Sequence, residues 1–373
     1  MEELFNPKRR ELAKEYNSKQ DFNNIVRFML KSLFWVVILV FSWESLVYQQ
    51  IEEVFNNFDL QLISFIGIFY LVYFFFSLIV DYYLSYRLNR GYGLSNQSSK
   101  QWLVDKVKVA IITLVFLYIL ARSFLTIISF FPQSWWIIFS IFGVIFIALI
   151  NFLFPIVLFP IFFDLEPYPD TELRQRLMKL FNRANVSVKD IYEFDLSSKT
   201  DAANAAVMGL GQTRKIILGD NLKNKYSEEE IEAVLAHEIG HQANSDMFKL
   251  LGVQIFSLLA VTFLLSKCWP ALVSFWGYES FAGIETLLLF ILAFSVLNWL
   301  VKPLELYLSR YFERQADNFA LQLAKEPKSL ATAFAKLADD SLSELELSTF
   351  KLLFKASHPP LGERIEKAYY YNK

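Results

Sequence analysis

Residues 60–80 read LQLISFIGIFYLVYFFFSLIV, a run without one charged side chain. A helix needs about 20 residues to cross roughly 30 Å of hydrocarbon, so this run is long and apolar enough to span a membrane. Working outward, the same reading applies near 28–48, 60–82, 107–130, 136–160, 247–267 and 286–307. The expected fold is therefore mainly α, a multi-spanning helical membrane protein with about six spans. The composition agrees: 54% of the 373 residues are hydrophobic, with 38 Phe, 18 Tyr and 8 Trp, more aromatic than an average soluble domain. Lys31 and Glu44 fall near the ends of the first span, where long side chains reach the interface. Pro155 and Pro160 should kink or stop the fourth. The formal charge of -2 offers no basic footprint, so no nucleic-acid partner is expected. Cys268 is the single cysteine, which excludes an internal disulfide; it reads as a small residue near a helix end. The polar first 25 residues do not read as a cleaved signal peptide, and the first span reads as a permanent anchor.

Orientation follows from Lys and Arg in the connections. Lys8, Arg9, Arg10, Lys14 and Lys19 precede the first span, and Arg87, Arg90, Lys100 and Lys106 lie between the second and third. Residues 49–59 and 268–285 carry no basic residue, nor does the turn at Phe131-Pro132-Gln133. This alternation predicts cytoplasmic termini and a cytoplasmic 161–246 region. Four domains are expected: a four-span region at 1–160, a cytoplasmic α/β insert at 161–246, two spans within 247–309, and C-terminal cytoplasmic helices at 310–373.

The insert has helical spacing over 170–184 and short strand candidates at Ile191–Leu196, Ala205–Leu210 and Lys215–Leu218. Ser227 with Glu230 three residues on forms a capping-box pattern that opens a helix. Helices are also expected over 310–325 and 328–340, with an amphipathic one over 345–354.

The helix opened by Ser227 runs into His237-Glu238-Ile239-Gly240-His241. Residues four apart share a helix face, so two imidazoles meet at one point with Glu238 beside them. Two His ligands, a third protein ligand and a water describe a catalytic zinc site. Water bound there has a pKa near 7, and the adjacent glutamate is placed to take its proton. The plainer alternative is two polar residues on a solvated face. Against it, only three histidines occur in the chain, and two fall in this motif. Glu313 and Asp317, again four apart, could supply the third ligand and an acceptor for a ligand's free ring nitrogen. An exposed charged helix beyond the membrane explains them equally well. Arg122, Asn151 and Asn298 lie inside spans; a chamber wall and snorkelling are both open readings, and none is assigned to the site.

The run Val234 to His241, then Glu313-Arg314-Gln315-Ala316-Asp317, then Ser357-His358-Pro359-Pro360 with Arg364, resembles the integral-membrane gluzincins. These include the type I CAAX prenyl protease and the heat-shock protease HtpX. Tyr92-Gly93-Leu94-Ser95-Asn96-Gln97 and the run from Phe154-Pro155 to Phe163 are similar to the CAAX side, and Ser198 to Ala205 to its bacterial members. The resemblance implies one zinc ion per chain on His237, His241 and Glu313, with Asp317 as partner of a ligand. It implies Glu238 as general base and His358 as stabiliser of the oxyanion. Arg364 would be a structural or substrate-facing cation, and Asn204-Ala205 the start of an edge along which substrate backbone adds.

The expected function is a zinc metalloendopeptidase cutting peptide or protein substrates at the cytoplasmic membrane face, in contact with membrane lipid, in a bacterial inner membrane. Lipid-modified peptides and damaged membrane proteins, the latter a quality-control role of the HtpX type, are the two substrate classes. A silent scaffold would have no chemical reason to keep the glutamate and all three ligands together, and the single large cytoplasmic α/β insert with its zinc motif counts against a transporter.

Overall fold

A computed structural model describes residues 1–209, 214–323 and 326–371. It contains six helices long and apolar enough to cross a membrane. The first, α1 (Pro7–Val40), starts well before the apolar run. Asn6 accepts from the Lys8 and Arg9 amides, and Pro7 occupies a first-turn position that needs no donor. Its polar turns are held from a distance, because Arg9 donates to the Asp339 carbonyl at 3.0 Å and Arg10 to the Asp339 carboxylate at 2.5 Å. The single first span expected over 28–48 is corrected here. Ser42 takes a left-handed φ of 51° and ends the helix, and α2 (Trp43–Val54) starts afresh. At 12 residues α2 is about 18 Å long, too short to cross.

α3 (Phe58–Asp81) continues through a π-helical segment, Tyr82–Tyr86, into α4 (Arg87–Gly91). α5 (Ser99–Phe130) opens on a Ser98–Gln101 capping box. α6 (Trp135–Leu153) passes into a π-helical turn, Phe154–Leu158, where Pro155 removes a helical donor. Arg122 bonds Asp59 at 2.7 Å and is 41% exposed, and Asn151 and Asn298 are exposed.

The insert is a four-stranded sheet in the order β1-β2-β4-β3. β1 (Leu165–Pro167) is antiparallel to β2 (Asp190–Phe194); β4 (Lys215–Gly219) is parallel to β2 and antiparallel to β3 (Ala205–Met208). β3 is therefore an edge strand. Leu210, which closed its expected range, lies outside the described residues, as do 324–325. α7 (Glu172–Arg183) buries Leu173, Leu177, Leu180 and Phe181. That stripe joins Ile216 and Leu218 of β4 and Ile231, Leu235 and Ile239 of the helix opened by Ser227 in one core. α8 (Asp220–Lys225) leads into that helix, α9 (Glu228–Ala243).

α10 (Asp246–Phe275) and α11 (Leu287–Leu323) are the last two spans. The expected break between a span ending at 307 and a helix starting at 310 is absent. α11 runs unbroken for 37 residues with Pro303 inside it. α12 (Pro327–Asp340), α13 (Thr349–Phe354) and α14 (Leu361–Tyr369) complete the chain, α13 covering only the end of the expected 345–354 helix.

Candidate metal centre

The direction of α9 is set at its first turn. The Ser227 amide donates to the Glu230 carboxylate at 2.8 Å and the Glu230 amide to the Ser227 hydroxyl at 3.3 Å. Three turns on, His237 and His241 stand with Nε2 atoms 3.2 Å apart and ring planes at 83°. α11 brings Glu313 to both, Oε2 being 3.3 Å from His237 Nε2 and Oε1 3.3 Å from His241 Nε2. The helices approach this closely because residue 240 is glycine. A Cβ there would lie 2.9 Å from the Ala316 Cα and 3.0 Å from its carbonyl oxygen.

The outer ring nitrogens fix the tautomers. His237 Nδ1 is 2.9 Å from Asp317 Oδ1, and His241 Nδ1 is 3.0 Å from Asp246 Oδ2. A carboxylate at each Nδ1 holds the proton there and leaves both Nε2 lone pairs directed inward. Glu313 Oε2 is buried without a hydrogen-bond partner. Two lone pairs and a carboxylate meeting within 4.8 Å make a His-His-Glu donor set that suits a divalent zinc ion. Burial alone would push His237 down, but the adjoining Asp317 and Glu313 carboxylates outweigh it and raise it, so the pocket favours a cation at this ring, a role the metal would take when bound. Glu238 is partly exposed, and the protein around it pushes its carboxyl above the usual carboxylate range, against the pull of the two histidines.

His358 approaches from the loop before α14, its Nε2 3.2 Å from Glu313 Oε1 and its side chain 58% exposed. Partial desolvation on the side turned to the site, with Arg364 and the two other histidines nearby, holds its imidazole below the ordinary value against the pull of Glu313. Two residues that the motif reading missed hold this loop. Arg310, buried, donates to the Leu352 and Ala356 carbonyls, and Ser309 donates to the Ser357 carbonyl at 2.9 Å. Of the two readings of Arg364, the geometry favours the structural one. It is 7% exposed, donates to both Asp317 oxygens at 2.6 and 2.9 Å, and covers the Phe334 ring at 4.1 Å. Asp246, also missed, is the first residue of α10. Its only sequence signal is an acid five positions past His241.

Asn204 precedes β3, its carbonyl accepting from the Gly219 amide at 2.9 Å, and Ala205 begins the strand, which packs beside α9. The Tyr92–Gln97 run grips the loop before it. Asn96 donates to the Ser197 carbonyl and Asp201 carboxylate at 2.9 Å, and Thr200 donates to the Leu94 carbonyl.

Residues 167–372 match the model of Peptidase family M48, and residues 1–164 match one described as CAAX prenyl protease N-terminal, five membrane helices. Within 1–164 four helices reach spanning length, and α2 is a fifth, shorter one. The chain is 27% identical over 361 residues to a Bacillus subtilis protein called uncharacterized metalloprotease YhfN, covering 96% of this chain and 84% of that one. A CAAX prenyl protease 1 homolog of Arabidopsis thaliana is 31% identical over 216 residues, which is 57% of this chain and about half, 51%, of the relative. The crystal structure of S. mikatae Ste24p superposes with a TM-score of 0.85 over 99% of this chain and 91% of that one; at 23% identity this speaks for the fold alone. A family match over more than half the sequence, on a six-span frame carrying a His-His-Glu donor set, makes this chain a membrane zinc metalloprotease belonging to Peptidase family M48.

Proposed function

We propose that the chain binds one zinc ion on His237, His241 and Glu313 and hydrolyses peptide bonds at the cytoplasmic face of a bacterial inner membrane. The observation that carries the zinc assignment is the inward convergence of two Nε2 atoms whose rings are fixed from behind by Asp317 and Asp246. Zinc, when bound, supplies Lewis-acid polarisation of the scissile carbonyl and acidifies water. Glu238 is the general base that takes the proton of the attacking water and passes it to the leaving amine; its raised pKa suits both transfers. His358, exposed to the site, donates to the oxyanion of the tetrahedral intermediate. β3, an edge strand of the described sheet beside α9, presents its outer edge to an extended substrate, with Asn204-Ala205 at its start. The cytoplasmic assignment rests on the basic residues of 1–19, 83–106 and 161–246 and their absence from 49–59 and 268–285.

Purified protein should carry zinc and cleave peptides, and Glu238→Gln should keep the metal and lose cleavage. Full activity in that variant would sink the mechanism. One peptide offered with and without a prenyl group separates the substrate classes, equal cleavage counting against a CAAX-type role. Glu279→Cys in a Cys268→Ser background should react with an impermeant maleimide from outside intact cells; labelling only after lysis reverses the orientation.

A further inference from the structure

Apart from the metal centre, a cavity of about 810 Å³ lies among the spans. Its wall is almost wholly apolar and includes Trp35, Phe69, Phe124, Phe139 and Phe290, with no residue of the metal centre. Along α1 it extends from Phe28 to Leu39, about 17 Å at 1.5 Å per residue. That is close to one leaflet of a roughly 30 Å hydrocarbon core.

Lys31, at the Phe28 end, lines the cavity, and its Nζ lies 2.7 Å from Asp81. The same carboxylate takes Arg27 at 2.8 Å and Lys106 at 3.3 Å. The other partners are neutral: Asn24 accepts from Arg27 and Ser77 donates to Asp81. Asp105, next to Lys106, is engaged by Lys199 at 2.7 Å. One carboxylate thus faces three cations, and two positive charges remain uncompensated around Lys31, at the Phe28 end of an apolar cavity. All three cations stay 23–38% exposed, within reach of a further anion. Ionised groups at membrane depth need such a partner.

We propose that this cavity is a lipid site, holding an acyl chain of an anionic membrane phospholipid whose phosphate rests against Arg27, Lys31 and Lys106. A bilayer lipid fits better than the lipid of a substrate, because the cavity wall shares no residue with the metal centre. The excess charge selects an anionic headgroup, since a zwitterionic lipid brings its own cation to the already positive Phe28 end.

The test uses full-length protein, purified in detergent, stripped of lipid and titrated with phosphatidylglycerol or phosphatidylcholine bearing the same chains, with occupancy read by native mass spectrometry. Each nearby basic residue is worth about fivefold for an anionic lipid, so two uncompensated charges predict roughly 25-fold preference for phosphatidylglycerol. The variant Arg27→Gln, Lys31→Gln, Asp81→Asn, Lys106→Gln removes the charges as a neutral set and should abolish the preference. Ala121→Trp, inside the cavity, should reduce retention of both lipids at least several-fold, and remains informative if the quadruple variant does not fold. Equal binding of the two lipids by the unaltered protein would overturn the proposal, as would unchanged retention in Ala121→Trp. Displacement of the lipid by a farnesylated peptide would overturn it in favour of a substrate pocket.

Discussion

Replacing Asp246 by Asn should separate metal affinity from fold stability. Asp246 is 1% exposed, with one oxygen 3.0 Å from His241 Nδ1 and the other accepting from Lys249 at 3.0 Å. Asn keeps the volume and one acceptor but removes the charge that makes the ring a stronger donor. Loss of such a partner behind a ligand costs 10- to 100-fold in metal affinity, or about 1.4–2.8 kcal/mol at 1.4 kcal/mol per decade. The stability cost is smaller, because Lys249 is 41% exposed and partly exposed ion pairs contribute about 0–1 kcal/mol. Asp317 is the contrasting case. It also holds buried Arg364, and breaking a buried pair costs about 3–5 kcal/mol. Zinc affinity, measured by competition with a chromogenic chelator, should therefore fall for Asp246→Asn with little change in the melting temperature of the metal-free protein. An affinity within twofold of the unaltered protein would refute the argument that Asp246 sets the His241 ring.

Gly240→Ala should lower stability by about 1–3 kcal/mol through overpacking, seen as a lower thermal midpoint, since its Cβ would press on the Ala316 backbone. Arg364→Ala should cost about 3–5 kcal/mol by breaking its buried pair with Asp317 and leaving that carboxylate only the His237 ring, which denaturation in mild detergent would register. Chelation should lower the melting temperature and zinc should restore it, a site saturated 1,000-fold above Kd being worth about 4 kcal/mol. Arg310→Ala should reduce kcat with zinc content unchanged, because it frees the carbonyls of residues 352 and 356 and with them the loop carrying His358.

The spans were legible because apolar length is a local property, as was the α9 start, where Ser227 and Glu230 lie three residues apart. The α1–α2 break was not: no Gly or Pro marks it, and Ser42 adopts its left-handed φ as a non-glycine residue. Nor was the early start of α1, whose polar turns are held by Asp339, more than 300 residues away. β1 is three residues long and too short for any alternation. In the site, His237, Glu238 and His241 announced themselves by spacing, whereas Arg310 and Ser309 act on carbonyls more than 40 residues off through contacts no local pattern encodes.

The unbroken α11 carries apolar turns that enter the membrane at Leu287 and Glu313 near its other end, while Asp246, behind His241, is the first residue of another span. The catalytic unit therefore has no soluble edition. A fragment cut to the 161–246 insert keeps both histidines and ends on Asp246 without the helix that positions it, and it loses Glu313 and Asp317; a fragment that keeps them carries two membrane helices. Reconstitution in lipid or detergent is a requirement of the chemistry itself, and the zinc centre stands or falls with the packing of α10 against α11.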